Sequence, residues 1–324
     1  MMTESMKSET KNDSRNEFPP KSILVPLDFS GQSQKALTYA ECLAETFGAM
    51  IHLAHIVEPT AVVVGFEVGS APVNEMELQG AEQRLSEIVR ELPKHSVGRT
   101  IVRHGWAVDE VIALVQELRI DLIILSAHGR SGIQRVLFGS TADGISRRAA
   151  CPVLVLRRNE RDFIDTSRTQ EQRFALALKE ILVPVDFSGA SRRALHYAIQ
   201  LAQRTRAKLV CLHISPPIPE TLPDIVAVGG LESVRNHVCE TTEKSLASFL
   251  KEESAFIPRD NVLKAGSVPR DVIDTADERK LDLIVMGAQG KNGGGRFLLG
   301  STSERVVRHA SCPVVVVREP QRSE

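Results

Sequence analysis

Apolar residues in this chain fall into two kinds of run. The short ones in the first half, "SILVPL", "MIHLAHIV", "RTIVRH", "DLIILS" and "PVLVLR", are apolar and often β-branched at nearly every position. That is the pattern of strands covered on both faces. Between them the apolar positions spread out: Ala36, Leu37, Ala40, Leu43, Ala44 and Phe47 recur with helical spacing behind Ser30, which is placed to cap a helix. Further helices are predicted from Glu75 to Leu92, from Val108 to Leu118 and, shorter, after Ser140. Strands alternating with helices predict an α/β fold with a parallel, doubly wound sheet.

The pattern is written twice. "KSILVPLDFSGQSQKALTYAECLA" from Lys21 aligns with "KEILVPVDFSGASRRALHYAIQLA" from Lys179, and Asp186 follows Asp28 by 158 residues (186 − 28). Gly290 follows Gly129 by 161 (290 − 129), as Cys312 follows Cys151 (312 − 151), so the second copy is longer between its second strand and Gly266. The chain is an internal duplication, with the length change in a Pro- and Gly-rich connection. The expected organisation is a disordered tail over 1–20, one domain over 21–158, a charged linker over 159–178 and a second domain over 179–319.

Composition narrows the functional classes. Forty basic and forty-one acidic residues leave a formal charge of -1, which gives no general attraction to nucleic acid or an anionic membrane. Neither a signal peptide nor a membrane helix is predicted; "AVVVGFEVG" is short and broken by Gly and Glu. The five cysteines form no CxxC pair and read as buried thiols in a reducing cytoplasm.

Chemistry concentrates after the fourth strand of each copy. "GAQGKNGGGRFLLGS" runs from Gly287 to Ser301, and "SAHGRSGIQRVLFGS" from Ser126 to Ser140. Doubly wound sheets hold ligands beyond the carboxyl ends of their strands, where glycines let backbone approach an anion and a helix N-terminus offers free N–H groups. Ser301 is predicted to cap the helix that follows, with Lys291 and Arg296 adding positive charge. The alternative for such a loop taken alone is a tight turn with no ligand. Neither loop is a Walker loop, and no GxGxxG follows the first strand. Asp28 and Asp186, at the ends of first strands, can accept from ribose hydroxyls or assist the next helix cap. His55 and His213, ending an apolar strand, read as structural, and Trp106, replaced by Ser267 in the second copy, reads as a packing residue. No nucleophile–base pair or metal cluster is evident, so the chain is not expected to be an enzyme beyond slow turnover of a bound nucleotide.

These residues resemble the universal stress protein family. The resemblance rests on "ILVPVDFS", on a second strand ending "LHIS", on the G-x2-G-x9-G-[ST] signature of Gly287, Gly290, Gly300 and Ser301, and on the closing "CPVVVV", and it covers all but tail and linker. It implies two tandem Rossmann-like domains of the adenine-nucleotide α-hydrolase type and an ATP-binding, stress-response regulatory protein. Asp186 is then expected at the ribose, the backbone near Ile214 at the adenine, and Gly287, Gly290, Gly300 and Ser301 at the phosphates, with Pro184, Val185 and Thr302 beside them. In the first copy Asp28, Ile56, Gly129, Gly139 and Ser140 take these roles, flanked by Pro26, Leu27 and Thr141, while Ser126 stands where the second copy has Gly287. Mg²⁺ is expected to arrive on the nucleotide. The other classes left open are a nucleotide-using enzyme of a related fold, such as an adenylating ligase or a flavoprotein subunit, and a pairing module with vestigial sites.

Two further expectations follow. The closing strands "CPVLVLR" and "CPVVVVR" suit edge pairing, so the two copies are expected to pair within one chain, with a homodimer of such pairs and an unidentified protein partner beyond that. If Gly287 is glycine because of a positive φ or a closely approaching ligand, Ser126 weakens the first site, the second copy binds ATP more tightly, and Ser126→Gly strengthens the first; the alternative is that Ser126 sits in ordinary strand geometry, its hydroxyl harmless or donating to a phosphate.

Overall fold

The computed structural model describes residues 18–59, 61–64, 67–70, 74–127, 138–158, 160–166, 174–217, 231–251, 257–290 and 299–318. The first copy contributes β1 (Ser22–Pro26), α1 (Gly31–Phe47), β2 (Met50–Val57), a hairpin of β3 (Ala61–Val64) and β4 (Glu67–Ser70), α2 (Glu75–Glu91), β5 (Val97–His104), α3 (Ala107–Glu117), β6 (Leu122–Ser126), α4 (Ser140–Arg148) and β7 (Val153–Leu156). After a small pair, β8 (Ile164–Asp165) and β9 (Ala175–Leu176), the second copy repeats the plan. It comprises β10 (Glu180–Pro184), α5 (Gly189–Thr205), β11 (Lys208–Ser215), α6 (Leu231–Lys251), β12 (Arg259–Ala265), α7 (Val268–Glu278), β13 (Leu283–Gly287), α8 (Ser301–His309) and β14 (Val314–Val317).

The strands form one ten-stranded sheet in the order β12-β11-β10-β13-β14-β7-β6-β1-β2-β5. Within each copy all pairings of this sheet are parallel, as helical crossovers require. The copies meet at the one antiparallel contact of this sheet, β14 on β7, with Val314 opposite Val155, Val315 opposite Leu154 and Val316 opposite Val153. The expected pairing of closing strands is therefore intramolecular, and it covers the edge that each copy alone would expose.

Strand residues alternate between two apolar layers. Ile23 and Val25 face a cluster with Leu37, Leu43 and Leu85 of α1 and α2, continued by Leu195 and Leu246 of α5 and α6. Leu24 and Ile123 face the other, with Val111, Leu114, Ile145, Val272 and Val306 of α3, α4, α7 and α8. The near-continuous apolar strands are thus explained by helices on both faces. Ser30 caps α1 as predicted, accepting from the Ser33 N–H, and Ser188 does the same for α5 through Ser191.

Three expectations need revision. Phe18, assigned to the tail, is buried, edge-on to Phe47 of the first copy at 4.8 Å and to Tyr197 of the second at 5.5 Å. An aromatic ring this apolar is drawn into the seam whatever the polarity of the residues before it. The linker also does more than connect: Phe163 is buried against Tyr39, and Arg161 donates to the Ala276 and Leu281 carbonyls of the second copy. Finally, Cys239 is exposed on α6, whereas burial holds the other four thiols out of solvent and pushes Cys42 and Cys211 up to about 11 and Cys312 to about 12. Among the described residues no helix is long and apolar enough to cross a membrane.

Candidate functional site

In each half of the sheet the strand order reverses at the first strand, β1 between β2 and β6, and β10 between β11 and β13. A crevice opens beyond the carboxyl ends at that point, because the crossovers leave to opposite faces. The chain leaving β1 is held there: the Leu27 N–H donates to Ala54 O at 2.8 Å, and Asp28 Oδ1 accepts from the Ser30 N–H at 3.0 Å and the Ser30 hydroxyl at 2.6 Å. Asp28 thus steadies the residue that caps α1, and Asp186 accepts from the Ser188 N–H at 3.0 Å in the same way. Between Asp and Ser the backbone turns through a left-handed residue, Phe29 at φ 61° and Phe187 at φ 62°. A bulky residue in this region is uncommon and must be held by its surroundings. The surroundings are His55 and His213: each ring packs on the phenylalanine, at 4.3 and 4.5 Å, and each Nδ1 lies 2.6 Å from the carbonyl of Leu27 or Val185. The histidines buttress the turn that carries Asp28 and Asp186, and His55 also lines the first-copy cavity.

The described flanks of the two glycine stretches meet. The Gly139 N–H donates to Ala127 O and the Gly300 N–H to Ala288 O, both at 2.8 Å. Ser303 Oγ donates to Gly287 O at 2.9 Å. The predicted cap is displaced by one residue: Gly139 and Gly300 are the N-caps, and Ser140 and Ser301 are the first residues of α4 and α8. Among the described residues neither cap makes a side-chain hydrogen bond, which leaves the opening amides of both helices without a side-chain cap there.

Each glycine of the second signature has a steric reason. A Cβ on Gly290 would lie 2.7 Å from Asp186 Oδ2, which brings the loop and the first-strand carboxylate together. A Cβ on Gly300 would meet Ala288 O at 3.3 Å and Gln289 Cα at 3.5 Å. Gly287 does not have the positive φ that is one of its two expected reasons. It is the last residue of a regular strand, paired with Val317, and its Cβ would lie 2.9 Å from the backbone of Ala190 in the first turn of α5. Close helix packing, not backbone strain, accounts for this glycine. Ser126 occupies the same position in β6, opposite Leu156, and reaches the cavity wall without violating strand geometry.

In the first copy these pieces enclose a cavity of about 830 Å³, within the range of small-molecule sites. Pro26, Leu27, Asp28, Ile56, Ser126, Gly139, Ser140 and Thr141 all line it. Gly129 lies outside the described residues, as do Lys291 and Arg296. In the second copy the Gly290 contact joins Asp186 to the loop; Pro184 ends β10, Val185 bonds to Leu212 O, Ile214 lies near the end of β11, and Ser301 and Thr302 open α8.

Sequence reading overlooked part of the wall. Arg84 of α2 lies with its guanidinium 5.4 Å from the Phe29 ring, and Glu58 accepts from the Ala107 N–H at 2.9 Å, serving as the cap that Trp106 cannot provide. Arg84 lies on the polar side of an amphipathic helix, where a charge reads as solvated. Its counterpart is Ser245, just as Leu85 corresponds to Leu246 (246 − 85, again 161), and in the second copy Phe249 packs on Phe187 at 5.6 Å. Trp106 is 61% exposed and does not pack as expected, because its place before α3 turns the ring outward. Among the described residues no group of three or more His, Cys, Asp or Glu could hold a metal ion.

The profile of the universal stress protein family matches residues 20–157 and again 177–318. A universal stress protein of Mycolicibacterium smegmatis is 28% identical over 306 residues, 91% of this chain and 96% of its own length. One of Methanocaldococcus jannaschii is 32% identical over 145 residues, 44% of this chain and 84% of its own. Among solved structures, a universal stress protein from Archaeoglobus fulgidus superposes with a TM-score of 0.62 at 22% identity, over 93% of this chain and 97% of its own, a likeness of fold. Two matched segments, two copies of the crevice and a relative similar over nearly its whole length lead to one conclusion: the chain belongs to the universal stress protein family, as a tandem of two family domains.

Proposed function

We propose that the chain is an ATP-binding regulatory protein of the stress response, acting through nucleotide-dependent conformation or partner binding rather than by catalysis. The observation that carries this reading is the first-copy cavity, where eight residues singled out from the sequence meet around 830 Å³ at a strand-order switch point. The uncapped amides of α4 suit a phosphate chain, Asp28 is placed to accept from ribose hydroxyls, and the end of β2 at Ile56 offers an apolar wall for a base. Asp28, Glu58 and Glu77 also line the cavity against the single cation Arg84 among the described lining residues. A bare triphosphate is poorly matched to that balance, and a magnesium ion arriving on the phosphates improves it; Ser140, Thr141 and Asp28 are the oxygen donors at hand. The buried thiols suit a reducing cytoplasm, and a homodimer and a protein partner are further parts of the reading.

Calorimetry with MgATP tests it. The parent is expected to bind two equivalents, Gly139→Val and Gly300→Val to lose one each, and the double variant to bind none. Undiminished binding by the double variant sinks the site assignment. Mass spectrometry of ligand carried through purification adds a direct check, with ATP expected and FAD contradicting the reading.

A further inference from the structure

The helices that open at the two glycine loops are joined by an ion-pair quartet that is not symmetric. The repeat relates Asp143 to Glu304 (304 − 143) and Arg147 to Arg308 (308 − 147), both by 161 residues. Within each helix the arginine pairs with the carboxylate one turn earlier: Arg147 Nε with Asp143 Oδ2 at 2.7 Å, and Arg308 Nη2 with Glu304 Oε1 at 2.8 Å. Only one arginine crosses the seam. Arg147 Nη2 reaches Glu304 Oε2 at 2.8 Å, while among the described residues the related contact from Arg308 to Asp143 is not made. Asp143 Oδ1, the acceptor that contact would use, is buried with no hydrogen-bond partner, as is Arg308 Nε, and the Arg308 guanidinium lies 6.0 Å from the ring of Phe138.

Pseudo-symmetry therefore gives this quartet a second, related pairing, although Asp143 is one methylene shorter than Glu304. In the observed one, Arg147 holds both carboxylates and Arg308 holds Glu304. In the other, Arg308 holds both and Arg147 holds Asp143. The observed pairing leaves one buried donor and one buried acceptor unpaired, so it is incomplete. Arg318 adds to the constraint: its Nε donates to Ser146 O of α4 at 2.9 Å, and burial and the nearby Arg147 charge push it down to about 10.

We propose that this exchange couples the two nucleotide sites, an inference that rests on the ATP reading above. Asp143 and Glu304 stand in the first turns of the helices whose N-termini face the sites. Phosphates at α4 raise the negative potential around Asp143 and draw Arg308 across to it. Glu304 then loses its second cation, and the first turn of α8 becomes less favourable to phosphates. Binding at one copy opposes binding at the other, reciprocally, as linkage demands.

The test uses the full chain. Calorimetry with MgATP gives each copy's affinity when the other is disabled by Gly139→Val or Gly300→Val, and the two stepwise affinities of the intact chain. The parent is expected to bind its second equivalent at least fivefold more weakly than the separate affinities require, and Arg308→Gln to remove that excess. Stepwise affinities that equal the separate ones in the parent overturn the coupling while leaving both sites standing. A ligand-free arm follows urea unfolding of Arg147→Gln, Arg308→Gln and the double variant. The exchange requires each arginine to compensate in part for loss of the other, so the double variant loses more than the two singles together; additive losses overturn it. If no nucleotide binds, the function and the coupling both fail, and the urea cycle still decides separately whether the exchange exists.

Discussion

Gly287→Ser writes the first copy's residue into the second and tests why the two differ. The new Cβ would lie 2.9 Å from the carbonyl carbon, carbonyl oxygen and Cβ of Ala190. Two of these are backbone atoms in the first turn of α5, a helix whose Ala194, Leu195, Ala198 and Ala202 are locked into the core. No side-chain rotation relieves the contact, so the helix start must move by several tenths of an ångström. Forcing extra volume into a packed interior of this kind costs about 1–3 kcal/mol, a sizeable part of a typical stability of about 5–15 kcal/mol. Urea unfolding followed by circular dichroism is expected to show a lower midpoint with an unchanged slope. In the first copy Gln32 takes the place of Ala190 and Ser126 is already accommodated, so Ser126→Gly is expected neither to raise the midpoint nor to tighten ATP binding there. An unchanged midpoint for Gly287→Ser refutes the packing account, and a tighter first site in Ser126→Gly reinstates obstruction of the ligand as the reason for the glycine.

Three other outcomes are expected. Burial raises the Glu160 carboxyl to about 7 against the opposing charge of Lys35 at 3.1 Å, so the folded chain binds a proton that the unfolded chain has released. Stability is then greatest below the ordinary carboxylate pKa and is lost as pH rises toward 7, by about 3 kcal/mol over that window; Glu160→Gln is expected to flatten this slope in urea titrations, and an unaltered slope counts against the assignment. Arg84→Ala removes the one arginine or lysine among the described residues of the cavity wall, and is expected to weaken ATP at the first copy about tenfold, or 1.4 kcal/mol, in calorimetry with the second copy disabled, while the second copy, with Ser245 there, is unaffected. Residues 21–158 produced alone lose the β14 partner of Val153, Leu154 and Val155, and are expected to dimerise in light scattering at micromolar concentration; a strict monomer contradicts the pairing argument.

Several features were settled by local chemistry, and the sequence alone carried them. Two-sided burial left its mark as apolar runs such as "DLIILS", the helix caps at Ser30 and Ser188 are properties of a few consecutive residues, and the duplication is visible as the 158- and 161-residue offsets. That Asp28 and the glycine stretches lie beyond the carboxyl ends of strands was also legible, whereas Ile56 entered only through the resemblance to the family; the four residues Asp28, Ile56, Ser126 and Gly139 line one cavity. What depended on distant partners was not legible. Gly287 is small because of Ala190, nearly a hundred positions away in the chain, and no local pattern distinguishes that from a turn or a ligand contact. Phe18 looks like part of a polar tail until Phe47 and Tyr197 are placed beside it, and Arg84 reads as a solvated charge until its helix lies over the crevice. The crossing of Arg147 to Glu304, and the missing crossing of Arg308 to Asp143, exist only once β7 and β14 have paired. Periodicity records which face a residue turns inward, but only the tertiary structure decides which other residue it meets there.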